Sequence, residues 1–388
     1  MRVLMTSTPG TGHTYPMVAL SWALQTAGHE VLVASCGPGL ALGGAGARTV
    51  DVAPGLSLDA MVGKLSRQHP QMAAQLLQEA SGVGYLEAVG GAVAAALRLH
   101  PEMVAAIIRT AEEWRPDLVV HSPLQTPSIV AAAKLGVPAV QHGFGFLNPS
   151  AESMRELHAD LFEQHGVGLP EVRATIDITP PSVVPPEPGM WPMRFVPYNG
   201  NGPLPKPLFD LLNSRPEVPR IAVSLGSGPM PGEAALIVER VLAAAPKIDA
   251  EFVVVLPRVD LEPFGPLPDN VRAFDWVPYS ALLARCSAVV HHAGPGTALG
   301  AMVNGLPQVM PDFKGLGRPV VARAIADRGV GRVARPDEIG PELLESVLAD
   351  EGMRAAAAEV RAEIASMPEP AGIVGRLEDL VARGTGAA

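Results

Sequence analysis

A pattern that starts twice constrains this chain more than any other feature. Arg2–Thr6 is a short apolar run, the turn-rich stretch 7–12 follows, and a helical stretch over 15–27 carries Leu20, Leu24 and Ala27 at helical spacing. Gly28 closes that helix and 31–34 reads as a second strand, completing a βαβ unit. Residues 48–52, 117–121 and 137–141 continue the strand series, with Ala/Leu-rich helical segments running to Ala111. The same order restarts at 221–225, a strand that enters Gly226-Ser227-Gly228 and a helix over 233–245. Strands at 251–256, Val271–Phe274, Ala288–His291 and 308–310 follow, and a last helix over 371–383 comes after Pro368 and Pro370. Short apolar strands alternating with helices imply parallel sheets covered on both faces and joined by right-handed crossovers.

Pro and Gly crowd between Thr179 and Arg220, as Pro180-Pro181, Pro185-Pro186 and Asn199-Gly200-Asn201-Gly202-Pro203. That crowding marks a domain boundary. The expected fold class is α/β, with two Rossmann-like, doubly wound parallel-sheet domains facing across a cleft. Residues 1–200 form the first, 201–218 a linker and 219–370 the second, and a C-terminal helix at 371–388 packs back toward the first. A length of 388 residues suits two domains, and 48% hydrophobic residues supply two cores. Ligands of such folds sit at the C-terminal ends of the strands.

The net charge of −10, from 29 basic and 39 acidic side chains, repels a phosphate backbone, and no run of five Lys/Arg offsets it. No nucleic-acid partner is expected. A small phosphorylated ligand can still be held by backbone N–H groups. Cys36 and Cys286 belong to no CxxC pair and read as two reduced packing cysteines, which fits a cytosolic compartment. The N-terminal apolar run breaks at 6–12, and no stretch reaches the ~18–20 apolar residues of a membrane span. A soluble, cytoplasmic protein with no membrane partner is expected.

The sharpest local signal is the buried strand that ends in His291 and runs into His292-Ala293-Gly294-Pro295-Gly296-Thr297. Glycines let the backbone approach a ligand, and a helix starting near Thr297 offers free N–H groups to an anion. The bland alternative is a plain strand-to-helix turn with Thr297 as N-cap and two satisfied histidines. Gly226-Ser227-Gly228 is a weaker turn of the same kind. In the first half, Pro9-Gly10-Thr11-Gly12-His13-Thr14-Tyr15-Pro16 has Tyr15 where a dinucleotide site needs its third glycine. It places His13 at the top of the sheet, where an imidazole can accept a proton near neutral pH or be purely structural. Asp-x-Asp, GxSxG, HExxH and zinc-spaced Cys/His patterns are absent, so no metal ligands are expected. His69, His100, His142 and His165 are scattered.

With these features in order, the chain resembles family-one GT-B glycosyltransferases. It is most similar to bacterial enzymes that decorate polyketides and enediynes, such as the calicheamicin glycosyltransferases. Segments 10–16, 115–120, 193–200, 271–278 and 291–297 carry the likeness, spread over nearly the whole chain. The resemblance implies that His13 of the HxxP turn is the general base deprotonating the acceptor hydroxyl. It implies a nucleotide-sugar site drawn from Gly12, from Ser227 near the diphosphate, and from Trp276 and Val277 at the pyrimidine. His292, Gly294, Gly296 and Thr297 would hold the diphosphate, and Asp312 would reach the sugar. The first domain would bind the acceptor and the second the donor.

The implied reaction is single displacement with inversion from a TDP- or UDP-sugar, more specifically a TDP-deoxysugar. The nucleotide sugar is a cosubstrate, and no metal or further cofactor is needed. The acceptor would be a hydrophobic polyketide- or enediyne-type natural product, in a pocket shaped by loops at 82–103 and 144–170. A homodimer is among the open assembly states, and domain closure around the donor is expected. Two departures stand out. Gly315 and Leu316 occupy the positions of an acidic–Gln pair that holds sugar hydroxyls, and His121-Ser122 stands where a carboxylate would orient the base. The alternatives are a C-glycosyltransferase, a GT-B epimerase and a catalytically silent homologue.

Overall fold

A computed structural model describes residues 1–388 except 79–82, 172, 227–230, 257–260, 316 and 386–388. Among the described residues, one sheet holds β1 (Arg2–Thr6), β2 (Glu30–Ser35), β3 (Arg48–Asp51), β4 (Leu118–His121), β5 (Ala139–His142), β6 (Arg173–Asp177) and β7 (Trp191–Pro192). The other holds β8 (Arg220–Ser224), β9 (Glu251–Val255), β10 (Val271–Phe274), β11 (Ala288–His291), β12 (Gln308–Pro311) and β13 (Gly331–Ala334). The strand orders are β3-β2-β1-β4-β5-β6-β7 and β10-β9-β8-β11-β12-β13. Every pairing is parallel. The α/β, doubly wound class is therefore the one observed.

In each sheet the order of strand addition reverses beside the first strand, between β1 and β4 and between β8 and β11. Loops leaving the strands on the two sides of such a point diverge in opposite directions and open a crevice. The turn bearing His13 leaves β1, and the turn bearing His292 leaves β11.

The cores follow from the period-2 alternation of strand side chains. In β8, Ile221 and Val223 face a cluster with Ile237, Val241, Phe252 and Val254. Ala222 between them faces the opposite cluster, with Leu208, Leu282 and Val289. In the first sheet Leu4, Ala34 and Val119 pack under Ile107, Ile108 and Ile129. Both cysteines are free, and burial pushes their thiols up to about 11 for Cys36 and about 12 for Cys286. Among the described residues no single helix is long and apolar enough to cross a membrane.

The chain divides into two compact units, Met1–Thr179 with Pro186–Gly200 and Met367–Ala388, and Pro180–Pro185 with Asn201–Ser366. The last helix, Pro370–Thr385, belongs to the first unit. There Glu378 lies 2.9 Å from His29 Nε2, the Arg376 guanidinium sits 4.2 Å over the Trp191 ring, and the Arg194 N–H donates to the Pro368 carbonyl at 2.8 Å.

The structure differs from the sequence reading at several elements. The expected helix over 15–27 is a 3₁₀ turn Tyr15–Met17 followed by Val18–Thr26, and a separate turn Thr11–Thr14 precedes it, because Pro16 has no N–H to continue an α-helical ladder. Strands β6, β7 and β13 were not anticipated. Charged residues interrupt β6 and β13 (Arg173, Asp177 and Arg332), and β7 spans only Trp191 and Pro192, too short to show a strand period. The stretch 201–218 holds the helix Lys206–Asn213, whose Leu208, Leu211 and Leu212 are buried in the second unit. Residues 82–103, expected as a loop, contain the whole helix Val83–Leu99 and the start of Pro101–Trp114, with Gly82 outside the described residues.

Candidate active site

In the second unit three candidate turns leave the C-terminal ends of three adjacent strands, while Trp276 and Val277 follow the edge strand β10. Gly226 follows β8, His292 follows β11 and Asp312 follows β12. The helix after β11 runs Pro295–Val303 with Gly294 as its N-cap. It therefore begins before Thr297, which sits inside the first turn and is not the cap. Pro295 presets the helical φ at the first position, where its missing N–H costs nothing. Gly294 brings no side chain to cap the turn. The N–H groups of Gly296 and Thr297 are first-turn amides that no carbonyl of the helix can accept from, and they lie at the positive end of its dipole.

The two histidines of this turn do different work. His291 is fully buried; its Nε2–H donates to Gln308 Oε1 at 2.8 Å and its Nδ1 accepts from the Ala293 N–H at 3.2 Å. Those two bonds assign one neutral tautomer. Burial, with the neighbouring His292, pushes its pKa down to about 3. The bond to Ala293 matters because Ala293 has φ +59°, a left-handed conformation that a side chain disfavours.

His292 lies in a slot made by two glycines. A Cβ at Gly226 would fall 2.5 Å from His292 Cε1, and one at Gly294 would fall 2.4 Å from His292 Nε2. Burial pushes the His292 pKa down to about 4, and the positive charge of Arg318 acts in the same direction against the Ser224 carbonyl.

Arg318 was missed in the sequence reading. It is buried at the start of the helix Arg318–Asp327, its Nε donates to the Gly315 carbonyl at 3.3 Å and its Nη2 to the Lys314 carbonyl, and its guanidinium lies 5.1 Å over the Phe313 ring. The signal available was an arginine just after Gly315 and Gly317, both of which take φ +73°.

Of the remaining donor candidates, Trp276 is half-buried and packs against the linker, a Cβ at Gly202 falling 3.2 Å from its Cζ3. Val277 is buried among Leu208, Tyr279 and Leu282, which leaves its main chain as the part a ligand could reach. Asp312 is exposed. Ser227 and Leu316 lie outside the described residues.

In the first unit, His13 rides on the four-residue helix Thr11–Thr14 directly after β1, with Gly10 as N-cap and Gly12 exposed beside it. Its ring lies 4.5 Å from that of Phe144 at 51°. Burial pushes its pKa down to about 4, so it is neutral near pH 7. Among the described residues no hydrogen-bond partner reaches its buried Nδ1. Where a carboxylate would orient the base, the His121 Nδ1–H donates to the Ser122 carbonyl at 3.0 Å, and Ser122 Oγ accepts from the Thr8 N–H at 3.1 Å. These groups pin the turn after β1 without supplying a carboxylate. A cavity of about 250 Å³ in the same unit is lined by His121, Gln141, Asn148, Glu152 and Thr175, so the segment 144–170 contributes to its wall.

The comparisons with known proteins agree with this architecture. Residues 22–226 match the N-terminal domain, and 239–380 the C-terminal domain, of the erythromycin biosynthesis protein CIII-like family. The chain is 36% identical over 380 residues to the elloramycin glycosyltransferase ElmGT of Streptomyces olivaceus, covering 97% of each chain. Its fold is similar to that of the glycosyltransferase SnogD from Streptomyces nogalater, with a TM-score of 0.83, 34% identity and coverage of 98% and 99%. It is also similar to the glycosyltransferase VinC solved in complex with dTDP, with a TM-score of 0.78, 29% identity and coverage of 99% and 100%. The likeness to bacterial natural-product transferases thus narrows to this family, with nothing that singles out the enediyne enzymes. The chain belongs to the erythromycin CIII-like, nucleotide-sugar-dependent glycosyltransferases of the GT-B fold.

Proposed function

We propose that this enzyme transfers a deoxysugar from a TDP-linked donor, with inversion, to a hydroxyl of a polyketide-type natural product. The acceptor oxygen attacks the anomeric carbon as the bond to the β-phosphate oxygen breaks and TDP leaves with the electron pair. His13 takes the acceptor proton. The unit carrying β1 binds the acceptor, and the unit carrying β11 binds the donor.

The observation that carries this reading is the His292–Thr297 turn. Its helix begins at a proline behind an uncapped glycine, and its free first-turn amides suit a diphosphate in a chain of net charge −10. TDP as the leaving nucleotide is supported by the dTDP complex of VinC. A deoxygenated sugar is supported by Gly315, which puts no carboxylate where relatives hold sugar hydroxyls. His13 as base is supported by its neutral state and its place after β1.

The test pairs two measurements. Calorimetry with a chelator present should show TDP binding, and His13→Ala should cut turnover by roughly 10²–10⁴-fold while leaving that binding intact. Unchanged turnover in His13→Ala would remove the base assignment, and no affinity for TDP or UDP would remove the donor site. Mass spectrometry of the product distinguishes a transferring enzyme from a silent homologue.

A further inference from the structure

A one-turn helix is not stable by itself, since a helical nucleus fixes several residues for a single hydrogen bond. His13 sits on such a turn, and no partner among the described residues holds its Nδ1. The aim of its ring therefore depends on the Phe144 contact and on whatever holds the turn.

Three buried hydroxyls lie around that turn. Ser35 Oγ, at the end of β2, donates to the Ser7 carbonyl at 2.8 Å. Thr14 Oγ1 donates to the Gly10 carbonyl at 3.0 Å. Ser7 Oγ lies 2.8 Å from Thr14 Oγ1 and 3.4 Å from Ser35 Oγ. Each hydroxyl has one proton, and those of Ser35 and Thr14 are committed to carbonyls. The Ser7 proton is then the one that joins the chain, and its shorter acceptor is Thr14 Oγ1.

The chain ends on the atom that also organises His13. The Gly10 carbonyl accepts the His13 N–H at 3.1 Å and the Thr14 N–H at 3.2 Å as well as the Thr14 hydroxyl. The approach of β2 requires a glycine at 39, because a Cβ there would lie 2.0 Å from Ser35 Oγ and 3.2 Å from Pro9 Cα.

We infer that Ser35, Ser7 and Thr14 are positioning residues that place His13 for proton transfer, doing through the backbone of its turn what a carboxylate hydrogen-bonded to the ring would do directly. This rests on His13 being the base. A buried network whose donors are all satisfied is rigid, and misplacing a reacting group by about 1 Å can cost on the order of 10²-fold in rate.

The experiment is a double-mutant cycle on the full chain with a TDP-sugar and a hydroxyl acceptor. Thr14→Val keeps the shape and removes the oxygen; Thr14→Ser restores it; Ser35→Ala breaks the far end of the chain. Thr14→Val and Ser35→Ala should each lower kcat roughly 10–100-fold with the donor KM and calorimetric TDP affinity unchanged, and Thr14→Ser should recover most of the rate. In a His13→Ala background the same changes should cost less than about twofold, since there is no base left to aim. Full kcat in both Thr14→Val and Ser35→Ala would overturn the positioning role while leaving an inactive His13→Ala to support the base. Equal losses with and without His13 would also overturn it, as they mark a general structural effect. Full turnover in His13→Ala would remove the base itself, a separate failure visible before the other variants are made.

Discussion

His291 and Gln308 are joined across two adjacent strands, β11 and β12, by a 2.8 Å hydrogen bond between side chains that are both fully buried. The bond assigns the His291 tautomer, the tautomer lets Nδ1 hold the Ala293 N–H, and Ala293 carries the left-handed kink into the candidate diphosphate turn. Gln308→Leu would leave the His291 N–H buried and unpaired. We expect a loss of about 1–3 kcal/mol in stability by urea denaturation, with weaker TDP binding by calorimetry. Wild-type values for both would mean that the turn does not depend on this bond.

Gly294 and Gly296 are separated by one proline yet predict opposite behaviour. A Cβ at Gly294 collides with the His292 ring, so Gly294→Ala should displace the ring and be felt without any ligand, as a lower Tm. A Cβ at Gly296 meets nothing within 4 Å. Gly296→Ala should keep the wild-type Tm and lose about tenfold or more in TDP affinity, because only a bound diphosphate would crowd it. Full TDP affinity in Gly296→Ala would place the diphosphate elsewhere.

Phe144 packs against the His13 ring, and burial keeps that imidazole neutral. Phe144→Ala should admit water and let the His13 pKa rise from about 4 toward its ordinary 6.5. A higher pKa protonates the base at higher pH, so the acid limb of the kcat/KM profile should move upward. A limb that stays in place would show that the shielding comes from other groups.

Stability should fall in acid through four desolvated histidines, His121 and His142 buried and His13 and His292 half-buried. His13, His121, His142 and His292 are held down at about 4 by burial, against 6.5 in the unfolded chain. Between those values the unfolded state binds more protons, so stability is full above about 6.5 and is lost progressively as pH falls toward 4. Urea midpoints measured from pH 8 to pH 4 should decline over that window. Midpoints that stay level across it would mean these rings are solvated.

Much of this protein was legible in its sequence because the relevant information is local. The largely apolar runs at Arg2–Thr6 and Ala288–His291 are strands at those bounds, since an inner strand covered on both faces is apolar at nearly every position. The glycine turn that holds His292 was equally readable, because a side chain at Gly294 would meet the His292 ring.

What the tertiary structure alone decided depends on neighbours distant in the chain. The marginal strands β6 and β13 gain their conformation from pairing with β5 and β12 rather than from their own composition. The different roles of His291 and His292 follow from Gln308 on one side and from Gly226 and Gly294 on the other. Arg318 beside His292 and Ser35 beneath the His13 turn are contributed by segments about 25 residues away, and side chains that far apart meet only when a crossover returns the chain to the sheet. Spacing along a sequence carries the period of a strand or helix; which side chain faces which is decided when those elements pack.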